Sequence, residues 1–196
     1  MEDEFVVREK KILSILEQEI ENGEAMAAAV NRIAEGMLLG EKGYEPADIQ
    51  KNVVFNVVLG QETATSHVDF LVSVDNRSAM VVKCASGSLS SRERQVVAAA
   101  RVIGDVPVPV AVVMDPMSAL VLDGVTGKVI GEGFVAIPTK VQLTAMLVGK
   151  DIKPLPSDKK EREKRILLAF DAIRCCIPQG GDGGVSLKDV PPRSRS

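Results

Sequence analysis

The sequence predicts an α/β fold: a central mixed sheet with helices on both sides and extra helices at the two ends. Three observations predict it. Two apolar runs, Val68 to Val74 and Ala79 to Ala85, flank the turn-forming residues Asp75, Asn76 and Arg77, the pattern of a β-hairpin. An Ala-rich helical stretch from Ser90 to Gly104 then leads to a short apolar run, Pro109 to Met114, and a helix between two strands makes them parallel neighbours. Helical stripes occupy the first forty residues and the region after Pro156.

Taken in order, Phe5, Ile12, Ile15, Leu16 and Ile20 recur at helical spacing, and a second stripe passes through Val30, Ile33, Met37 and Leu38. Asn22-Gly23 lies between them, so two helices with a break near Gly23 are expected. Gly40 and Gly43 end the second helix. Val53 to Leu59, apolar on both faces, reads as an interior strand. Ser90 and Glu93 have the spacing of a capping box for the crossover helix, as do Thr139 and Gln142 for a short helix ending near Gly149. Ala119 to Asp123 and Lys128 to Ile130, split by a Gly124-to-Gly127 turn, form a second hairpin.

Lys153 to Pro156 is a linker, after which Asp158 and Glu161 open a helix through Ile166, Leu167, Phe170 and Ile173. The chain thus divides into N-terminal helices over 1–40, an α/β core over 41–150, a linker and C-terminal helix over 151–177, and a tail over 178–196. The tail, rich in Gly, Ser, Arg and Pro, buries too little to offset its ordering entropy, so disorder is expected there.

The first hairpin carries the chemistry. With a three-residue loop, Val74 pairs with Ser78, and counting outward sets Leu71 opposite Val81 and Asp69 opposite Lys83. Val68, Phe70, Val72, Met80, Val82 and Cys84 then share a wholly apolar face, leaving Asp69 and Lys83 toward a cleft or second layer. A two-residue loop shifts the register by one and separates the acid from the lysine.

Composition bounds the function. The 196 residues are 45% hydrophobic, enough for one sizeable core, with a net charge of −3. That charge and a pI near 5.4 supply no global attraction to nucleic acid, so any DNA contact rests on a local patch. Aromatic residues at 3%, with no Trp, exclude a base-stacking platform. Cys84, Cys175 and Cys176 have neither metal-ligand spacing nor a disulfide framework, which fits a reducing cytoplasm. The acidic start is wrong for a secretory signal, and no apolar run nears the roughly 20 residues of a membrane span.

Several pieces resemble a known family: Gly43-Tyr44 before the first strand, Val68-Asp69-Phe70-Leu71, the run Ala79 to Lys83, Gln95 in the next helix, and the strand and hairpin from Pro109 to Gly131. Together they resemble the PD-(D/E)xK nuclease superfamily. From about Val30 to Thr139 the chain is most similar to the N-terminal nuclease domain of type I restriction enzyme R subunits. The resemblance implies a restriction-endonuclease-like fold and a centre in which carboxylates hold magnesium, activating water and neutralising phosphate, while a lysine stabilises developing charge. Asp69 matches the acid and Lys83 the lysine, but Val81 stands at the Glu of Glu-x-Lys. Ala27 to Asn31 lacks the family's helix glutamate, and Ala99 stands where a tyrosine often follows Gln95. The site is therefore expected to be degenerate.

A relocated carboxylate, Glu93, restores a two-acid metal set with Asp69 in the active version of this reading. His67 shares the face of Asp69, and Arg92, Arg94 and Gln95 beside the cleft are the candidate nucleic-acid contacts. Lys159, Lys160, Arg162, Lys164 and Arg165 interleave with Glu161 and Glu163, the pattern of a solvated helix face. Three functions follow. The leading one is a degenerate nuclease-fold module that binds nucleic acid or a protein partner. The second is an active magnesium-dependent DNA endonuclease using Asp69, Lys83 and Glu93, and the third a structural or oligomerisation module.

Overall fold

The computed structural model describes residues 25–85 and 88–175, so the expected first helix and the tail from 178 lie outside the described residues. Helix α1 spans residues 25–40. It is followed by β1 (Ile49–Leu59), β2 (Glu62–Val74), β3 (Arg77–Cys84), α2 (Glu93–Val102), β4 (Val110–Met114), β5 (Ala119–Asp123), β6 (Val129–Glu132), α3 (Lys140–Leu147) and α4 (Ser157–Cys175). The strands form one mixed sheet of six in chain order, antiparallel throughout except for the β3–β4 pair. Helix α2 makes that crossover, as its position between two apolar runs predicted.

Helices cover both faces. On one, Val30, Ala34, Met37 and Leu38 of α1 and Leu143 of α3 pack on Phe70, Val72, Met80, Val82, Val110, Val112 and Val121. On the other, α2 and Leu167 of α4 meet Leu71, Val81, Ala111, Val113 and Leu122. Helix α2 is buried nearly all round between sheet and α4, which its small alanines allow. Tyr44 joins α1's end to the approach to α3 by donating its hydroxyl to the Pro138 carbonyl at 2.9 Å. The capping box of Thr139 and Gln142 forms as expected.

The β2–β3 turn differs from expectation, but its consequence for the hairpin does not. Val74 pairs with Arg77, leaving a two-residue loop of Asp75 and Asn76 with φ of 51° and 59°. Both are left-handed, the requirement of a turn whose twist matches the flanking strands, and Asp and Asn tolerate it. Such a loop alone would misplace the acid. An irregularity between Val72 and Ser73 admits Ala79 as an extra residue of β3, so that Val72 pairs with Met80 and Leu71 with Val81. The bulge cancels the shorter loop, and the register beyond it is the expected one.

Four other expectations are corrected. Strand β1 lies at the sheet edge, not inside it, with Val54 and Val58 exposed; its apolar content serves one packed face, Val53, Phe55 and Val57, and strand propensity on the other. Val68 belongs with Val57 in the α2-side core, not with Phe70. Val68 pairs with Val53, and one step away the β1 ladder skips Asn52, whose φ of 50° breaks the alternation of faces. Ser90 and Glu93 form no capping box: Arg92 precedes the first helical residue, and the chain enters α2 through a turn in which the Arg92 and Glu93 amides bond the Leu89 carbonyl. Ile33, read with the inward stripe, is 41% exposed.

The turn is testable by substitution. Asn76→Gly retains or raises stability, whereas Asn76→Val, forced into a left-handed conformation, lowers it by about 1–2 kcal/mol. Urea denaturation midpoints measure the difference, and equal midpoints for the two variants would refute the left-handed loop.

Candidate functional site

The ladder between β2 and β3 runs outward through Phe70 and Val82 and then changes character. At the next step the Asp69 side chain substitutes for a backbone acceptor, its Oδ2 receiving the Cys84 N–H at 2.8 Å. The following amide, of Ala85, bonds the Met114 carbonyl of β4 at 2.8 Å. Asp69 therefore keeps the rim of β3 satisfied where β2 diverges from it. Lys83 is held in the same place: its Nζ donates to the His67 carbonyl at 3.0 Å and lies 3.4 Å from His67 Nε2.

Both charged groups are interior. Lys83 is 2% exposed and Asp69 9%. A buried ammonium requires oxygen or nitrogen acceptors to offset its lost hydration, and β2 supplies them from His67. Cys84 reports the field between them. Burial pushes its thiol well above the ordinary range, the Asp69 carboxylate pushes the same way, and the Lys83 ammonium pulls back.

Val81, at the family's Glu position, is fully buried and offers no oxygen. Glu93 begins α2 and lines a cavity of about 360 Å³ with Ser90, Arg94, Arg101, Thr126 and Gly127; neither Asp69 nor Lys83 is in that lining. Among the described residues no three of His, Cys, Asp and Glu converge as a metal-binding group. Asp115, another acid at a strand end, accepts the Met117 and Ser118 amides and shapes the β4–β5 turn.

Of the expected phosphate contacts at α2, Arg94 and Gln95 are engaged with α4 and Arg92 with Gln95. Arg94 donates to Glu163 at 2.8 Å, Gln95 to Asp171 at 3.4 Å, and Arg92 to the Gln95 side chain at 3.1 Å. Arg101 joins them, donating to Glu163 at 2.7 Å and to the carbonyls of Gly124 and Val125 at 3.0 and 2.6 Å. Glu163 is 4% exposed, which corrects its placement on a solvated face. The signal was present: Glu163 lies four residues before the buried Leu167, hence on the same side of α4. Among the described residues, the Glu161–Arg165 pair, at 3.7 Å, follows the expected intrahelical pattern.

A scan against protein-family models and searches of the curated proteins and of the solved structures return no match for this chain.

Two measurements check the site. Asp69→Ala strands the Cys84 amide and costs about 1–3 kcal/mol, while Asp69→Asn, whose amide oxygen still accepts, costs less; denaturant titration of both variants reads the difference. A thiol reagent in mildly alkaline buffer leaves Cys84 unmodified in the native protein and modifies it in urea, scored by mass on the peptide that carries it. Labelling of Cys84 at equal rates in both states would contradict its burial.

Proposed function

We propose that this chain is a restriction-endonuclease-like module that does not cleave, in which the acid and lysine of the nuclease hairpin maintain the sheet, and that it acts by binding a protein partner. The observation that carries this reading is the burial of Lys83 and Asp69, each bonded within the hairpin. A phosphodiester must reach both groups to be cut, and a lysine with 2% of its surface in solvent offers it almost nothing. The element order, an acid-bearing hairpin followed by a helix and a parallel strand, supports the fold assignment.

Magnesium finds a poor donor set. Val81 supplies no oxygen, Asp69 Oδ2 is committed to the Cys84 amide, and Glu93 lines a different cavity. The α2 side chains favour a protein partner over nucleic acid, because Arg101 is enclosed with Glu163 and Arg94 is tied to the same carboxylate, so that one net positive charge is left between them. No helix among the described residues is long and apolar enough to cross a membrane, and the buried free thiol of Cys84 suits a reducing cytoplasm.

Incubation of supercoiled plasmid and single-stranded DNA with magnesium or manganese tests the reading, using the native chain, Lys83→Ala and the bulkier Lys83→Met. The expected result is no metal-dependent cleavage above background by any of the three. Metal-dependent nicking by the native chain that both variants lose, while each remains folded by circular dichroism, would overturn it.

A further inference from the structure

Among the described residues no strand lies beyond β1 in the sheet. The loop between β1 and β2 has two residues, Gly60 and Gln61, so Leu59 and Glu62 close the hairpin as a hydrogen-bonded pair. Such pairs recur at every second residue, through Val57, Phe55 and Val53. The residues between them, Val54, Asn56 and Val58, therefore turn their N–H and C=O groups away from β2 toward the open edge. All three are exposed, Val54 by 65% and Val58 by 48%. Edge strands ordinarily carry a charge, a proline or a bulge that discourages pairing, and Val53 to Leu59 has none of these.

The same segment reads nearly alike in both directions. About Asn56, Val54 mirrors Val58, Phe55 mirrors Val57 and Val53 mirrors Leu59. Its limits are equally symmetric: Asn52, with φ of 50°, and Gly60, with φ of 62°, break the extended backbone four residues to either side. A strand laid antiparallel along this edge thus finds its match in the same strand of a second copy. With a two-fold axis at Asn56, the free backbone groups of Val54 face those of Val58 in the second copy and Asn56 faces itself, for about six hydrogen bonds in all.

The side chains agree with that register. Val54 and Val58 meet as β-branched neighbours on one face and Phe55 meets Val57 on the other, while the Asn56 amides, each both donor and acceptor, bond one another on the axis. Past the matched segment, Lys51 of each copy comes alongside Gln61 and Glu62 of the other, cation beside anion at both ends. A slip of two residues either way sets one exposed valine against Asn56 and the other against Asn52 or Gly60, where the strand ends.

We propose that two copies of this chain pair through β1, antiparallel about Asn56, so that one sheet runs through both. The pairing goes beyond the reading of Asp69 and Lys83 and does not depend on it.

Sedimentation equilibrium of the full chain tests the pairing, with two variants at the exposed Asn56. The native chain is a reversible dimer. Asn56→Asp and Asn56→Lys each set like charges on the axis and weaken association at least about tenfold, with circular dichroism unchanged. An equimolar mixture of the two variants restores association, because acid then faces lysine. Amide exchange at Val54, Asn56 and Val58 slows as the native dimer forms. A native chain that stays monomeric up to about 1 mM overturns the proposal. Protection of those three amides already in the monomer assigns the edge to another segment of the chain and overturns it equally. So does a dimer that neither substitution weakens, or one that both abolish and their mixture fails to restore.

Discussion

A lysine held almost completely inside the protein constrains everything around it. Its ammonium must have acceptors, and the carbonyl and ring nitrogen of His67 lie within reach only because β2 continues past the point where its ladder with β3 stops. Asp69 makes that divergence tolerable by accepting the amide that β2 no longer serves. His67, Asp69 and Lys83 are thus the groups that let the two strands part without stranding polar atoms. Removing Asp69 strands the Cys84 amide, a structural reason for an acid at this position.

The opposite side of α2 obeys a similar constraint. A helix enclosed by sheet and α4 has little open surface for its charged groups, and its arginines meet their counter-charges on the helix that encloses them. Such buried pairs add little net stability, because desolvation offsets attraction, but they penalise misplacement strongly. With Glu163 shared between Arg94 and Arg101, and Arg101 also bonded to two carbonyls of the β5–β6 turn, three elements are fixed to one point. The charges of α2 thereby serve the packing of three elements as well as the solubility of the helix.

The sequence was legible where one physical signal dominated. Turn residues between apolar runs located both hairpins, a helix between strands foretold the parallel β3–β4 pair, and Thr139 with Gln142 marked a helix start. The expected β2–β3 register was reached by another route, a shorter loop and a compensating bulge, because loop length and strand irregularity enter the pairing only as a sum. What escaped depended on contacts remote in sequence. Asn52 reverses the alternation that placed Val68, and the order of strands put β1 at the edge, which no local pattern announces. Glu163 lay hidden because interleaved charges resemble a solvated face until a second helix is set against them.

The two margins of the sheet are unequal. β6 is four residues long, contains an irregularity opposite Val121 and Leu122, and ends in an acid, devices that discourage further strands from joining. β1 is eleven residues long, and from Val53 to Leu59 it contains neither charge nor proline. A sheet with one receptive margin and one blunted margin is not shaped to grow as a ribbon, since addition of one β1 to another would be self-complementary and would close at two copies. The asymmetry between its margins separates pairing from fibre formation, although both draw on the same unpaired backbone groups.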